Sequence, residues 1–374
     1  MRPLLSRRAW LALATAALSR TRANAATSDE LRRTLPIALP RDFGAHPATG
    51  IEWWYLTGWL QAGAAADPTH GFQITFLRSR GEVAPDHPSR FAASQVLFAH
   101  AALSDLQAKR HLHAQRIARA GFGIAEAKLG DTDVRLRDWA LQRHGPPHAD
   151  AIDASSAHRY TSAVRTPDFA LQLRFDATQP VLLQGEAGWS RKGPDPAHAS
   201  LYLSEPQLAV HGTLERNGRR EPVTGTGWLD HEWSDALLPP TAVGWDWAGI
   251  NLDDGGALTV FQLRRADGSA LWAGGSHRPR GGAVRTFAPG ELRFTPLRRW
   301  TSAATGASYP VEWRIESPLG THLLVAAFDA QELDSRSSAG TAYWEGLSEL
   351  RDAHEARVGR GYLEMTGYAG RLRL

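Results

Sequence analysis

Apolar and polar positions in this chain change over in short bursts, not with the period of a long helix. Gly71-Phe72-Gln73-Ile74-Thr75-Phe76 alternates strictly and predicts a strand with one buried face. Runs rich in aromatic and β-branched residues predict further strands at Glu52 to Leu60, Gly71 to Leu77, Gln95 to Leu103, Phe169 to Phe175 and Ser200 to Leu203. The second half repeats the rhythm at Gly244 to Leu252, Ala257 to Arg264, Ala270 to Gly275, Glu291 to Phe294, Val311 to Ile315, His322 to Phe328 and Arg360 to Tyr368. Turn signals such as Asp253-Asp254-Gly255-Gly256 and Ala266-Asp267-Gly268 separate them. The expected class is all-β, and many short strands per half argue for sandwiches or closed barrels, which leave no bare sheet edge.

Length then divides the chain. At 374 residues it exceeds what one hydrophobic core normally serves. Pro239-Pro240 places the link between halves near residues 234–242, because two prolines cannot continue a ladder. The halves share a device, Gly before Trp, at Gly58-Trp59, Gly188-Trp189, Gly227-Trp228 and Gly244-Trp245, and Trp as a barrel plug would account for it.

The first 25 residues read as an export signal of the twin-arginine type. Arg7-Arg8 precede the apolar run Ala9 to Leu18, and Ala23-Asn24-Ala25 offers a cleavage site. That run is about half the ~20 residues a membrane span needs, so a periplasmic or secreted protein is expected. Cleavage would remove five arginines and no acid, taking the formal charge from +3 to −2. No basic stripe remains to neutralise phosphates, so nucleic acid is not an expected partner. The absence of cysteine excludes disulfides, thiolate metal sites and Cys nucleophiles.

Four stretches concentrate Trp beside carboxylates or His: His46 to Tyr55, Gly227 to Trp233, Gly244 to Asp254 and Tyr343 to Gly346. A carboxyl held against indole faces away from water has its charged form disfavoured, so it can act as an acid near neutrality, and the same faces attract cations. Asp230-His231-Glu232-Trp233 could equally be a structural plug in which His231 bonds a carboxylate. Glu52 and Glu345 are expected to be structural, bonding an indole N–H or an Arg. His111 and His113 share one face of a strand at a metal-ligand spacing, but without a third ligand they read as a solvated face, and no metal is expected. His144 and His148 flank Pro146-Pro147 in what reads as a surface loop, and Gly359-Arg360-Gly361 reads as a tight turn.

Five motifs in order, Glu52-Trp53-Trp54-Tyr55, Asp230-His231-Glu232-Trp233, Gly244-Trp245-Asp246-Trp247, Tyr343-Trp344-Glu345-Gly346 and Gly359-Arg360-Gly361-Tyr362-Leu363-Glu364 with Thr366-Gly367-Tyr368, resemble those of the carotenoid 1,2-hydratase and AttH-like family. The resemblance runs from about residue 46 to the C-terminus. It implies two lipocalin-like antiparallel β-barrel domains, at 46–233 and 243–374, and a hydro-lyase that adds water to a C=C bond of an isoprenoid or other long apolar substrate without a cofactor. It places His231 and Trp233 in the active region. Asp230, Glu232 and Asp246 are the acid candidates, Trp245 and Trp247 would stabilise a cation, and Trp53, Trp54, Tyr55, Tyr343 and Trp344 would bind ligand. The export signal matches the secreted branch of the family, for which a non-catalytic lipid or isoprenoid carrier is the alternative, and an envelope transport complex a further possible partner. No Gly-x-Ser-x-Gly elbow supports a hydrolase.

Overall fold

The alternating runs form antiparallel strands. The structure is a computed structural model describing residues 36–371 except 64, 84–86, 90, 146–157 and 237; the stretch expected to be an export signal, Pro146-Pro147 and His148 lie outside the described residues. Residues 38–374 make one unit of two sheets, the first from Ile51 to Ser234 and the second from Gly244 to Met365. Each sheet curls into a near-closed barrel, giving two lipocalin-like antiparallel β-barrel domains. Among the described residues the one helix is the 3-10 turn Arg41–Phe43, and none is long and apolar enough to cross a membrane.

Both sheets are wired alike. The opening strand of the first, Ile51–Ala62, pairs with His70–Arg80 on one side and with the closing strand Arg219–Ser234 on the other. In the second, Gly244–Leu252 lies between Ala257–Arg264 and the closing strand Arg357–Met365. Period-two alternation then sorts side chains. Trp54, Leu56, Leu60 and Leu229 fill the first barrel, and Ala248, Ile250, Trp344 and Leu363 fill the second. The intervening positions, Tyr55, Trp228, Trp247, Leu347 and Tyr362, form a third apolar cluster where the barrels pack against each other.

That seam is also buttoned by hydrogen bonds. Ser104 donates to Gln331 (2.8 Å), Gln184 to Thr259 (2.8 Å), Asn251 to the Gly227 carbonyl (3.1 Å) and the Trp247 indole to Tyr202 (3.1 Å). Each contributes about 1 kcal/mol, and together they fix how the barrels face each other.

Three local expectations are corrected. Gly359-Arg360-Gly361 is not a turn; it lies within Arg357–Met365, and its glycines admit a close neighbour, since a Cβ on Gly361 would sit 1.8 Å from the Gly249 carbonyl oxygen. The strand expected from Glu291 begins at Arg293 and runs to Thr301. His111 and His113 are not on a solvated face: Ser104 bonds the His111 ring (2.9 Å) and the Asp334 amide donates to His113 (3.2 Å), because the second barrel covers that strand.

The run expected at Ser200 to Leu203 extends through Ala199–Arg216 by way of a bulge between Glu205 and Leu208, with Gln207 at φ 58°. The extra residue reverses parity. Before it, Tyr202 and Ser204 face the seam; after it, Leu208 and Val210 face the barrel interior. The Gln207 side chain reaches the Leu252 and Gly256 carbonyls of the second barrel (2.9 and 2.8 Å).

Candidate active site

The seam opens into a cleft of about 110 Å³ walled by both barrels. Trp53 and Tyr55 of the opening strand, Asp230 and Glu232 of the closing strand, and Tyr202 represent the first barrel; Trp245, Trp247, Phe261, Tyr343 and Glu364 represent the second. The walls are thus aromatic with a few carboxyls set among them.

Asp230 is the most heavily engaged of these. Its Oδ1 accepts from Ser204 Oγ (2.5 Å) and Trp228 Nε1 (2.7 Å), and its Oδ2 from Tyr202 Oη (2.7 Å). Burial outweighs these bonds and pushes the carboxyl up to about 7. It is therefore part protonated at neutral pH, as a general acid requires.

Glu364 occupies the matching place in the second barrel. Gly227-Trp228-Leu229-Asp230 and Gly361-Tyr362-Leu363-Glu364 are the same pattern, Gly, aromatic, Leu, acid, in the two closing strands. Tyr55 stands beside Asp230 in the ladder, and Trp247 stands beside Glu364. On its other side Glu364 faces Glu345 directly. Burial raises both carboxyls, helped by the charge of Glu364 at Glu345 and by those of Asp230 and Glu232 at Glu364, so the pair retains a proton. Tyr55, Tyr343 and Glu364 surround Glu345, yet neither of its oxygens reaches hydrogen-bond geometry.

Glu232 differs. Lys192 Nζ lies 2.8 Å from it and Ser200 donates to it at 2.5 Å, an ion pair at the cleft. Lys192 also sits over the faces of Tyr202 (4.9 Å) and Phe261 (4.6 Å). His100, bonded to the Tyr343 hydroxyl at 2.8 Å, is driven by burial down to about 4 and is neutral.

Alternation divides the residues expected at the site. Asp230, Glu232, Trp53, Tyr55, Trp245, Trp247 and Tyr343 line the cleft; His231, Trp233, Asp246, Trp54 and Trp344 point to the other side of the same strands. His231 Nε2 meets Glu52 Oε1 (2.8 Å) and stacks on Trp54 (4.6 Å). Glu52 also binds His46 Nδ1 (2.7 Å) and accepts from Arg78 Nε (2.8 Å), while His46 stacks on Trp233 (3.8 Å). Burial pushes the Glu52 carboxyl up, but the two His and their charges prevail and hold it at about 2. This is a charged plug in the wall of the first barrel. His46, Glu52 and His231 are also the described residues that come close enough together to hold a metal ion; both Glu52 oxygens are already engaged, so an ion there would compete with the Arg78 guanidinium. Asp246 lies in the second barrel, bonded by Gln262 (2.8 Å) and Tyr368 (3.0 Å) and paired with Arg264 (2.9 Å).

Sequence reasoning assigned no role to Glu364, Lys192, Tyr202 or His100. The repeat of Gly, aromatic, Leu, acid could have found Glu364. Nothing local marks the others, whose place depends on the bulge, on a loop and on packing across the seam.

A family model described as AttH-like matches residues 30–368. The crystal structure of a Nitrosomonas europaea protein proposed to be an AttH is 44% identical, covers 90% of this chain and 98% of its own, and superposes with a TM-score of 0.79. Kievitone hydratase from Nectria haematococca shares the fold at 15% identity, TM-score 0.67, over 89% of this chain and 93% of its own. So does CghA with Sch210972, at 13% identity, TM-score 0.54, over 87% and 90%. Among curated proteins no sequence matches.

Proposed function

The chain belongs to the AttH-like family, and on that premise we propose that its seam cleft adds water to a carbon–carbon double bond of an apolar, isoprenoid-like substrate, as a carotenoid 1,2-hydratase does. The observation that carries this reading is Asp230, a carboxyl tuned to about 7 inside an aromatic cleft. In the proposed step Asp230 gives its proton to one alkene carbon, and the cation left on the other is held by the faces of Trp245 and Trp247. Water attacks that carbon while the Glu232 carboxylate takes its proton, and passage of that proton from Glu232 to Asp230 through solvent returns both groups to their starting states. The protein's own acids and bases complete the balance, so the proposed step calls on no cofactor.

The cleft volume bears on the substrate. About 110 Å³ is well below the roughly 300–1,000 Å³ of pockets that enclose a whole ligand. A long polyene would seat its terminal double bond and leave the rest outside. Export in the folded state through the twin-arginine leader belongs to the same proposal, and would put the substrate in the periplasm or beyond. The test is incubation with an acyclic carotenoid in heavy-oxygen water, read by mass spectrometry. A product heavier by one labelled water supports the reading; a ligand retained unchanged makes the protein a carrier instead.

A further inference from the structure

A second cavity lies apart from the seam, at the mouth of the second barrel. It holds about 490 Å³ and is lined by Arg264, Arg299, Tyr368, Trp313, Phe294 and Leu292 among others. That volume falls in the range of roughly 300–1,000 Å³ usual for small-molecule sites.

Its charge is the first clue. The Tyr368 ring has the Arg264 guanidinium 3.8 Å from its centroid and that of Arg299 at 5.8 Å. Arg264 is neutralised by Asp246. Among the described residues the hydrogen bonds of Arg299 go to Ser308, from Nε to the hydroxyl (3.2 Å) and from a terminal nitrogen to the carbonyl (2.8 Å). Ser308 is uncharged, so the mouth presents a guanidinium with no carboxylate on it.

The second clue is independent. Trp313 is 2% exposed and lines this cavity, yet its Nε1 meets no acceptor. A buried indole N–H ordinarily finds one. Beside it the wall is apolar: Phe294 stands edge-on to Trp313 at 5.9 Å, with Leu292 and Pro296 nearby. An acid group with a greasy body satisfies every one of these features, and a neutral apolar molecule satisfies only the last.

We propose that the mouth of the second barrel is a separate binding site for a carboxylate bearing an apolar tail, with Arg299 and the Trp313 N–H taking the acid group and Phe294 and Leu292 the tail. This site stands whether or not the seam cleft performs catalysis.

The experiment is a fluorescence titration of the purified protein with cis-parinaric acid and, in parallel, its methyl ester. The acid binds and the ester binds more weakly. Arg299→Gln, at an exposed position, weakens the acid about tenfold, the loss of one charge-assisted contact, and Arg299→Lys recovers part of it. Trp313→Phe, which keeps the ring and removes the donor, weakens it a few-fold. Absence of binding, equal binding of acid and ester, or an Arg299→Gln protein that binds as the unaltered one does would overturn the proposal. So would loss on Trp247→Phe with Arg299→Gln unaffected, since that would put the probe in the seam.

Discussion

In the first barrel the seam acid Asp230 stands across the ladder from Ser204; in the second, Glu364 stands across from Glu345. The wiring and the four-residue pattern are the same, yet the partners differ in kind. A hydroxyl can donate to Asp230 and support either protonation state. Two carboxyls face to face in low dielectric cannot both ionise, so one proton stays with the pair. The difference teaches that the cross-strand neighbour helps decide whether a buried carboxyl at this position is bonded by a hydroxyl or shares a proton with a second carboxyl. The interiors differ too: the first barrel has Glu52, Arg78 and two His built into its wall, whereas the second carries Asp246 and Arg264 beneath an open mouth.

Removing the proposed acid, Asp230, is the strongest way to break this comparison. Asp230→Asn lowers turnover by roughly 10²–10⁴-fold with little change in the urea midpoint. In the unaltered protein turnover falls as pH rises through about 7, where Asp230 loses its proton, and the labelled-water assay across pH checks both. The stability consequence has the same direction. The unfolded carboxyl ionises at its ordinary 3.8 and the folded one at about 7, so the fold loses stability as pH rises between them.

Glu52 answers oppositely. Glu52→Gln strands the buried Arg78 guanidinium and costs about 3–5 kcal/mol, read from urea denaturation. Because the folded Glu52 carboxyl sits at about 2 against an ordinary 4.5, its contribution is complete above 4.5 and is lost as pH falls toward 2. Between about 4 and 6.5 the buried, neutral His100 pulls the other way, so the Asp230 contribution is read as the difference between the unaltered and Asp230→Asn proteins from pH 4 to 7; parallel profiles would show that Asp230 is not raised.

His231→Ala sharpens the division of roles along one strand. It removes a partner of Glu52 and costs about 1–3 kcal/mol of stability, with turnover within a few-fold of the unaltered protein. A collapse of turnover at full stability would move the chemistry to the far side of the strand. The smallest effect is Trp247→Phe, which keeps an aromatic wall, loses the bond to Tyr202 and costs about 1 kcal/mol in thermal unfolding.

Much of the site was legible, with one period missed. Asp230-His231-Glu232-Trp233 reads as a cluster only while its strand character is ignored; successive strand residues face opposite ways, so Asp230 and Glu232 reach the cleft while His231 and Trp233 reach the Glu52 plug. The same rule parts Trp53 and Tyr55 from Trp54, Trp245 and Trp247 from Asp246, and Tyr343 from Trp344. The structural reading thus applies to the face of His231 and Trp233, and the proposed chemistry concerns the face of Asp230 and Glu232.

By itself the sequence determined the all-β class, most strand positions and the aromatic and acidic content of the seam. These are local matters, set by alternation, turn chemistry and which residues sit two apart. Tertiary structure alone decided that Glu345 faces Glu364, that a bulge turns Tyr202 and Ser204 toward Asp230, and that Lys192 reaches Glu232. Those pairings depend on strand register, on the bulge and on a loop, and their electrostatics depend on how deeply the packing of two barrels excludes water. No short-range pattern carries that information.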